Sequence, residues 1–168
     1  MPTITHPNGQ TTYYEDDNFT GPWKPCETIL IQHGFARHSA FWYHWVPTPS
    51  RHYRVIRREA MASSSCPSKG SYDYSVDITV SEIIDTLDQL GPKKVHFLGE
   101  APAVIFGEAL AVKHSNWLLS LTTCSTPMYL PPAAQEWLTF SHSSWLAVCP
   151  ELGPRGWGIE GLKLLGTD

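Results

Sequence analysis

The sequence predicts an α/β domain built on a mostly parallel sheet, and three observations carry that expectation. Apolar runs too short for helices recur at residues 28–33, 53–57, 94–98 and 118–123. An amphipathic stretch with a helical repeat lies between the second and third runs, and a helix-like segment opens after a glycine and a turn between the third and fourth. Strands alternating with helices pair in parallel, because each helix is the crossover to the next strand. The sheet should therefore carry helices on both faces, with a β-hairpin at its N-terminal end.

In chain order, residues 3–6 and 11–15 flank Pro7-Asn8-Gly9. Asn-Gly is a strong hairpin signal, since both residues tolerate positive φ. Residues 16–25 are polar and broken by Gly21-Pro22 and Pro25, which makes a loop. The run over 28–33 is uniformly apolar, as befits a strand covered on both faces, and it leads into His33-Gly34-Phe35. Phe41, Trp42, Tyr43 and Trp45 then crowd into five positions. That density suits a short helix over a pocket mouth, with core packing as its main role.

The strand at 53–57 runs into Glu59-Ala60-Met61-Ala62-Ser63-Ser64, and residues 63–71 are a serine-rich loop in which nothing places a base beside a hydroxyl. Ser75 is the expected N-cap of a helix over 76–90, where Val76, Val80, Ile83, Ile84, Leu87 and Leu90 recur at helical spacing. Asp77, Glu82, Asp85 and Asp88 fall opposite and read as a solvated face rather than a metal site. Gly91-Pro92 stops the helix. A strand over 94–98 then meets Gly99-Glu100-Ala101-Pro102-Ala103, followed by a helix over 104–114 and a last strand over 118–123.

A net charge of -4 with scattered Lys and Arg gives no surface for a phosphate backbone, so nucleic acid is not an expected partner. No stretch reaches the roughly 18 apolar residues of a membrane helix, and the N-terminus lacks the pattern of a signal peptide. A cytoplasmic protein is expected. Cys26, Cys66, Cys124 and Cys149 form no C-x-x-C pair, so neither a zinc site nor a redox pair is signalled. No cofactor or metal is called for.

The His33-Gly34 pair after one strand and Gly99-Glu100-Ala101-Pro102-Ala103 after a later one together resemble the α/β hydrolase superfamily, in its enol-lactonase and haloperoxidase-like branch, over residues 3–126. The resemblance implies the N-terminal part of that fold, with the nucleophile turn G-x-S-x-G at 99–103. It further implies an oxyanion amide from Phe35, a second from the residue after the nucleophile, and a pocket lined by His33, Gly34, Phe35, Phe41, Trp42 and Trp45. Here Ala101 stands where the serine belongs. Pro102 follows, and proline has no N–H to give an oxyanion. A loop of the form D-x-R-G-x-G in relatives is matched by a segment with Met61, Ala62 and Ser64 at the Arg and Gly positions, which removes its guanidinium and its glycines.

In the family the acid and histidine follow the serine in chain order. Cys124, Ser125 and Thr126 occupy one place where relatives carry the acid, and nothing in the spacing of Glu136, His142, Glu151 or Asp168 brings them to the turn. Residues 127–168 resemble the start of a helical cap, so a partial core over 1–126 and a cap segment over 127–168 are expected, without the acid, the base or the closing strands. The implied protein is a shortened, hydrolytically inactive relative acting in small-molecule metabolism, holding an apolar ligand in its aromatic pocket. A lyase- or cyclase-type enzyme, or a hydrolase completed by a partner chain, stays open beside it. The strand bounded by Leu118 and Thr123 is expected to present an open edge through which the chain self-associates or meets a partner.

Overall fold

The computed structural model describes residues 2–34, 37–60, 72, 75–125, 132, 156 and 159. The chain divides into two compact units, Met1–Thr126 and Pro127–Asp168. In the second unit Pro132, Gly156 and Ile159 are helical; the rest of the expected cap segment lies outside the described residues, as does the serine-rich loop.

Six strands make one sheet: β1 (Thr3–Thr5), β2 (Thr11–Asp17), β3 (Thr28–Gln32), β4 (Arg54–Arg58), β5 (Val95–Glu100) and β6 (Leu118–Cys124). Their spatial order is β1-β2-β4-β3-β5-β6. The first two pairings are antiparallel, and β4, β3, β5 and β6 run parallel. Between β1 and β2 the His6 N–H donates to Gln10 O at 2.8 Å and the Gly9 N–H to His6 O at 2.9 Å. Within this loop only Gly9 takes positive φ, at 78°. The expected hairpin forms around Pro7-Asn8-Gly9: three residues make the loop, and the glycine alone supplies the left-handed step. Asn8 instead spends its side chain on a distant contact, its amide donating to Glu82 Oε1 at 2.9 Å.

Helix α1 (Val76–Leu90) is bounded as its sequence dictates. Ser75 Oγ accepts from the Ile78 N–H at 3.1 Å, and Gly91 closes the helix at φ 91° with its N–H on Leu87 O at 2.8 Å. Val80, Ile83 and Leu87 pack with Leu110 of α2 (Val104–Lys113) against Leu30, Ile56, Val95 and Phe97 of the sheet. Both α-helices thus lie on one face. On the other, Ile31 and Val55 pack under Trp42, with Ile29 and Leu98 alongside. That face is covered, among the described residues, by the 3-10 turns Ser39–Trp42 and Pro49–Arg51 rather than by an α-helix. Among the described residues no helix is long and apolar enough to cross a membrane.

The acidic side of α1 is not a uniformly solvated face. Glu82 is 2% exposed and accepts from the buried Arg58 guanidinium at 3.1 Å and from the Tyr72 hydroxyl at 3.0 Å. Arg58 also donates to Gln32 Oε1 at 3.2 Å and to Thr12 Oγ1 at 3.3 Å. Asp85 accepts from the His6 Nδ1–H at 2.6 Å, and His6 Nε2 in turn accepts from the Thr12 hydroxyl at 2.7 Å. A carboxylate only accepts, which fixes that tautomer. The helical repeat marked the apolar stripe correctly, but Arg58 and His6 come from β4 and the hairpin and turn two of the four acids inward. Asp77 and Asp88 are exposed as expected.

Candidate functional site

At the end of β5 the chain turns at Ala101 with φ 51°, the left-handed region that costs a non-glycine residue about 1–2 kcal/mol. A 3-10 turn, Ala101–Ala103, then feeds directly into α2. Two glycines permit so tight a passage. A Cβ on Gly99 would stand 3.0 Å from Ala103 O and from Val104 N and Cα, and one on Gly107 would lie 2.5 Å from Leu121 Cδ1 and 2.8 Å from Phe97 Cδ1. Strand and helix are held in the geometry that lifts one side chain above the sheet. Here that side chain is a methyl group.

Across the turn lies Gly34, just past β3. A Cβ on it would meet Glu100 O at 2.8 Å and the Ala101 Cβ at 2.9 Å. The Gly34 N–H donates to Glu100 Oε2 at 3.3 Å, and Arg37 Nε pairs with Glu100 Oε1 at 2.8 Å. The Arg37 guanidinium also lies 3.8 Å from the centroid of the Phe41 ring. Glu100 therefore ties the loop after β3 to the strained turn. Phe35, the expected oxyanion residue, lies outside the described residues.

His33 is buried and committed to backbone. Its Nδ1–H donates to Gly34 O at 2.8 Å, and the Ala60 N–H donates to its Nε2 at 2.9 Å. Glu59 Oε2 stands 3.1 Å from the same nitrogen, while Glu59 Oε1 accepts from the Ser39 N–H at 2.6 Å. Burial by itself would raise the Glu59 carboxyl, yet the contacts with His33 and Ser39 outweigh it and hold it at about 2. This cluster orients the loop after β3.

Three of the aromatics expected to line a pocket stand in different surroundings. Trp42 is core, packed with Ile31 and Val55. Phe41 is 41% exposed beneath Arg37, and Trp45 is 48% exposed. Trp45 instead joins His44 and Thr48 over Ile29, Ile31 and Leu98 to line a cavity of about 480 Å³. The 3-10 turn has four residues and ends at Trp42, with Trp45 beyond it, so neighbours in sequence separate in space. The spacing of aromatics could not reveal this cavity, because three of its seven lining residues, Ile29, Ile31 and Leu98, come from one face of β3 and β5.

No family model matches the chain. The β1-β2-β4-β3-β5-β6 sheet and the strained strand-to-helix turn have the arrangement of the α/β hydrolase fold. RutD of Stutzerimonas stutzeri, which carries the name of a carbamate hydrolase, is 28% identical over 94 residues, 56% of this chain and 36% of its own. The pimeloyl-[acyl-carrier protein] methyl ester esterase of Aeromonas hydrophila is 28% identical over 110 residues, 65% of this chain and 41% of its own. The chain thus spans well under half the length of either relative. Among solved structures, an enol-lactonase from Burkholderia xenovorans superposes with a TM-score of 0.71 at 18% identity, covering 98% of this chain and 64% of the enzyme. A hydrolase from Pseudomonas aeruginosa gives 0.70 at 21% identity, covering 89% of this chain and 56% of that one.

Proposed function

We propose that this is a hydrolase-like protein of small-molecule metabolism whose strand-to-helix turn no longer forms a covalent intermediate. The observation that carries the reading is Ala101 at φ 51° with Pro102 directly after it. Acyl transfer at such a turn needs a hydroxyl there and an amide N–H on the next residue. Alanine lacks the first and proline the second. Losing one oxyanion donor alone costs on the order of 3 kcal/mol of transition-state stabilisation.

What remains is a site that holds rather than cleaves. The apolar cavity under Trp45 supports an apolar small molecule as ligand, its lining being aliphatic and aromatic with two polar groups at the margin. Strand β6 pairs only with β5 among the described residues and exposes Leu119, Thr122 and Thr123. An edge of that kind supports association through β6, either with a second copy or with a partner chain. We place the protein in the cytoplasm on the absence of any cysteine pairing pattern in its sequence.

Steady-state hydrolysis of p-nitrophenyl esters and of simple lactones tests the reading. Release should stop at or below one equivalent of product per chain. Sustained turnover at many equivalents would overturn it.

A further inference from the structure

Among the described residues, two relays of hydroxyl, imidazole and carboxylate lie outside the strained turn. One joins Thr12, His6 and Asp85. Thr12 is 0% exposed, so no substrate reaches its hydroxyl and the relay is a strut between hairpin and helix. The other is open. Ser120 Oγ on β6 lies 2.8 Å from His96 Nδ1 on β5, and His96 Nε2 lies 3.1 Å from Glu27 Oε2, just before β3. Ser120 is exposed and the Tyr53 ring packs edge-on to His96 at 5.5 Å.

From this geometry we infer that Ser120, His96 and Glu27 form a nucleophile, base and orienting carboxylate able to accept an acyl group from an ester or thioester with an apolar acyl chain. The carboxylate can only accept, so the imidazole proton sits on Nε2 and Nδ1 is left with its lone pair toward the Ser120 hydroxyl. The three residues stand on adjacent strands: His96 is paired with Ser120 across β5 and β6, and Glu27 precedes the Thr28 that pairs with Val95. The neighbouring face is apolar. Ile29, the cross-strand partner of His96, and Leu98, two residues on along the same face, both line the cavity of about 480 Å³. An acyl chain would lie over Ile29 and Leu98, on the far side of His96 from Ser120. The relay is roughly 16 Å along β5 from Ala101, at about 3.3 Å per residue, so it owes nothing to the strained turn.

The step balances. Ser120 Oγ bonds to the acyl carbon as His96 Nδ1 takes the hydroxyl proton; the bond to the leaving oxygen or sulfur breaks, and His96 returns the proton to the leaving group. Acyl-Ser120 and an alcohol or thiol result. Among the described residues no backbone amide is seen to donate to this hydroxyl, so a single acylation is expected rather than rapid turnover.

The test treats the whole chain with p-nitrophenyl hexanoate and with p-nitrophenyl acetate, following adducts by intact mass and peptide mapping. One hexanoyl group should appear on Ser120, faster than the acetyl group. His96→Gln should slow it about 100-fold, in the range of a lost general base. Glu27→Gln should slow it several-fold, and because Glu27 is 59% exposed that variant tests the relay even where His96→Gln misfolds. Adducts confined to lysines, or a Ser120 adduct formed equally fast in Glu27→Gln and without preference for hexanoyl, would leave only a cross-strand hydrogen bond and overturn the proposal. The adduct position separates this outcome from chemistry at residue 101.

Discussion

Gly34 and Ala101 meet with no room for a methyl group between them: a Cβ on Gly34 would lie 2.9 Å from that of Ala101 and 2.8 Å from Glu100 O. The loop after β3 and the turn after β5 are locked face to face although the side chain between them has no hydroxyl. Gly34→Ala should therefore cost about 1–3 kcal/mol, the usual range for overpacking, because both obstacles are backbone or Cβ atoms that cannot swing away. A urea midpoint unchanged from the parent would show the two loops are not held as described.

Glu82 separates a buried acid from its solvated neighbours on α1. Replacing it with Ala removes the carboxylate that pairs with the fully buried Arg58 at 3.1 Å, and the expected loss is about 3–5 kcal/mol. Asp77→Ala removes an exposed pair with Lys113 at 2.5 Å and should change stability by under about 1 kcal/mol. Equal effects of the two substitutions in chemical denaturation would contradict the buried network.

The contrast between these acids shows where sequence reading stops. Ser75 and Gly91 bound α1 because both caps are local, and the apolar stripe between them is local as well. Arg58, which pairs with Glu82, and His6, which pairs with Asp85, are 24 and 79 residues away, so no helical repeat announces them. The strained turn was legible because glycine, an apolar strand and a following helix sit in one window. Arg37 and Glu100 were not, since their pairing joins loops after different strands. The 480 Å³ cavity was hidden for the same reason.

Acidification should unfold the protein in two stages. Burial, opposed by the Asp85 hydrogen bond, lowers the His6 pKa below its ordinary 6.5. Between the folded and unfolded values the unfolded chain binds more protons, so stability is complete above about pH 6.5 and falls as pH drops through that window. Glu59, held at about 2 against an ordinary 4.5, keeps its contribution above pH 4.5 and loses it as pH falls toward 2. His6→Gln should abolish the upper stage of a stability-versus-pH curve and leave the lower. A curve with the same upper stage in that variant would assign it to another group.

Gly91 gives a test of pure backbone conformation. At φ 91° a Cβ there would meet nothing within 4 Å, so Gly91→Ala changes only the left-handed cost, about 1–2 kcal/mol. Thermal unfolding of the variant should shift down accordingly. No shift would mean the helix ends without its cap.

Ala101→Ser puts back the hydroxyl alone at the strained turn. Treated with an activated ester and mapped peptide by peptide, that variant should carry no acyl group at position 101, because Pro102 still offers no amide to the developing oxyanion. A stoichiometric adduct at position 101, forming faster than on free serine, would contradict a turn that has kept its geometry and lost its chemistry.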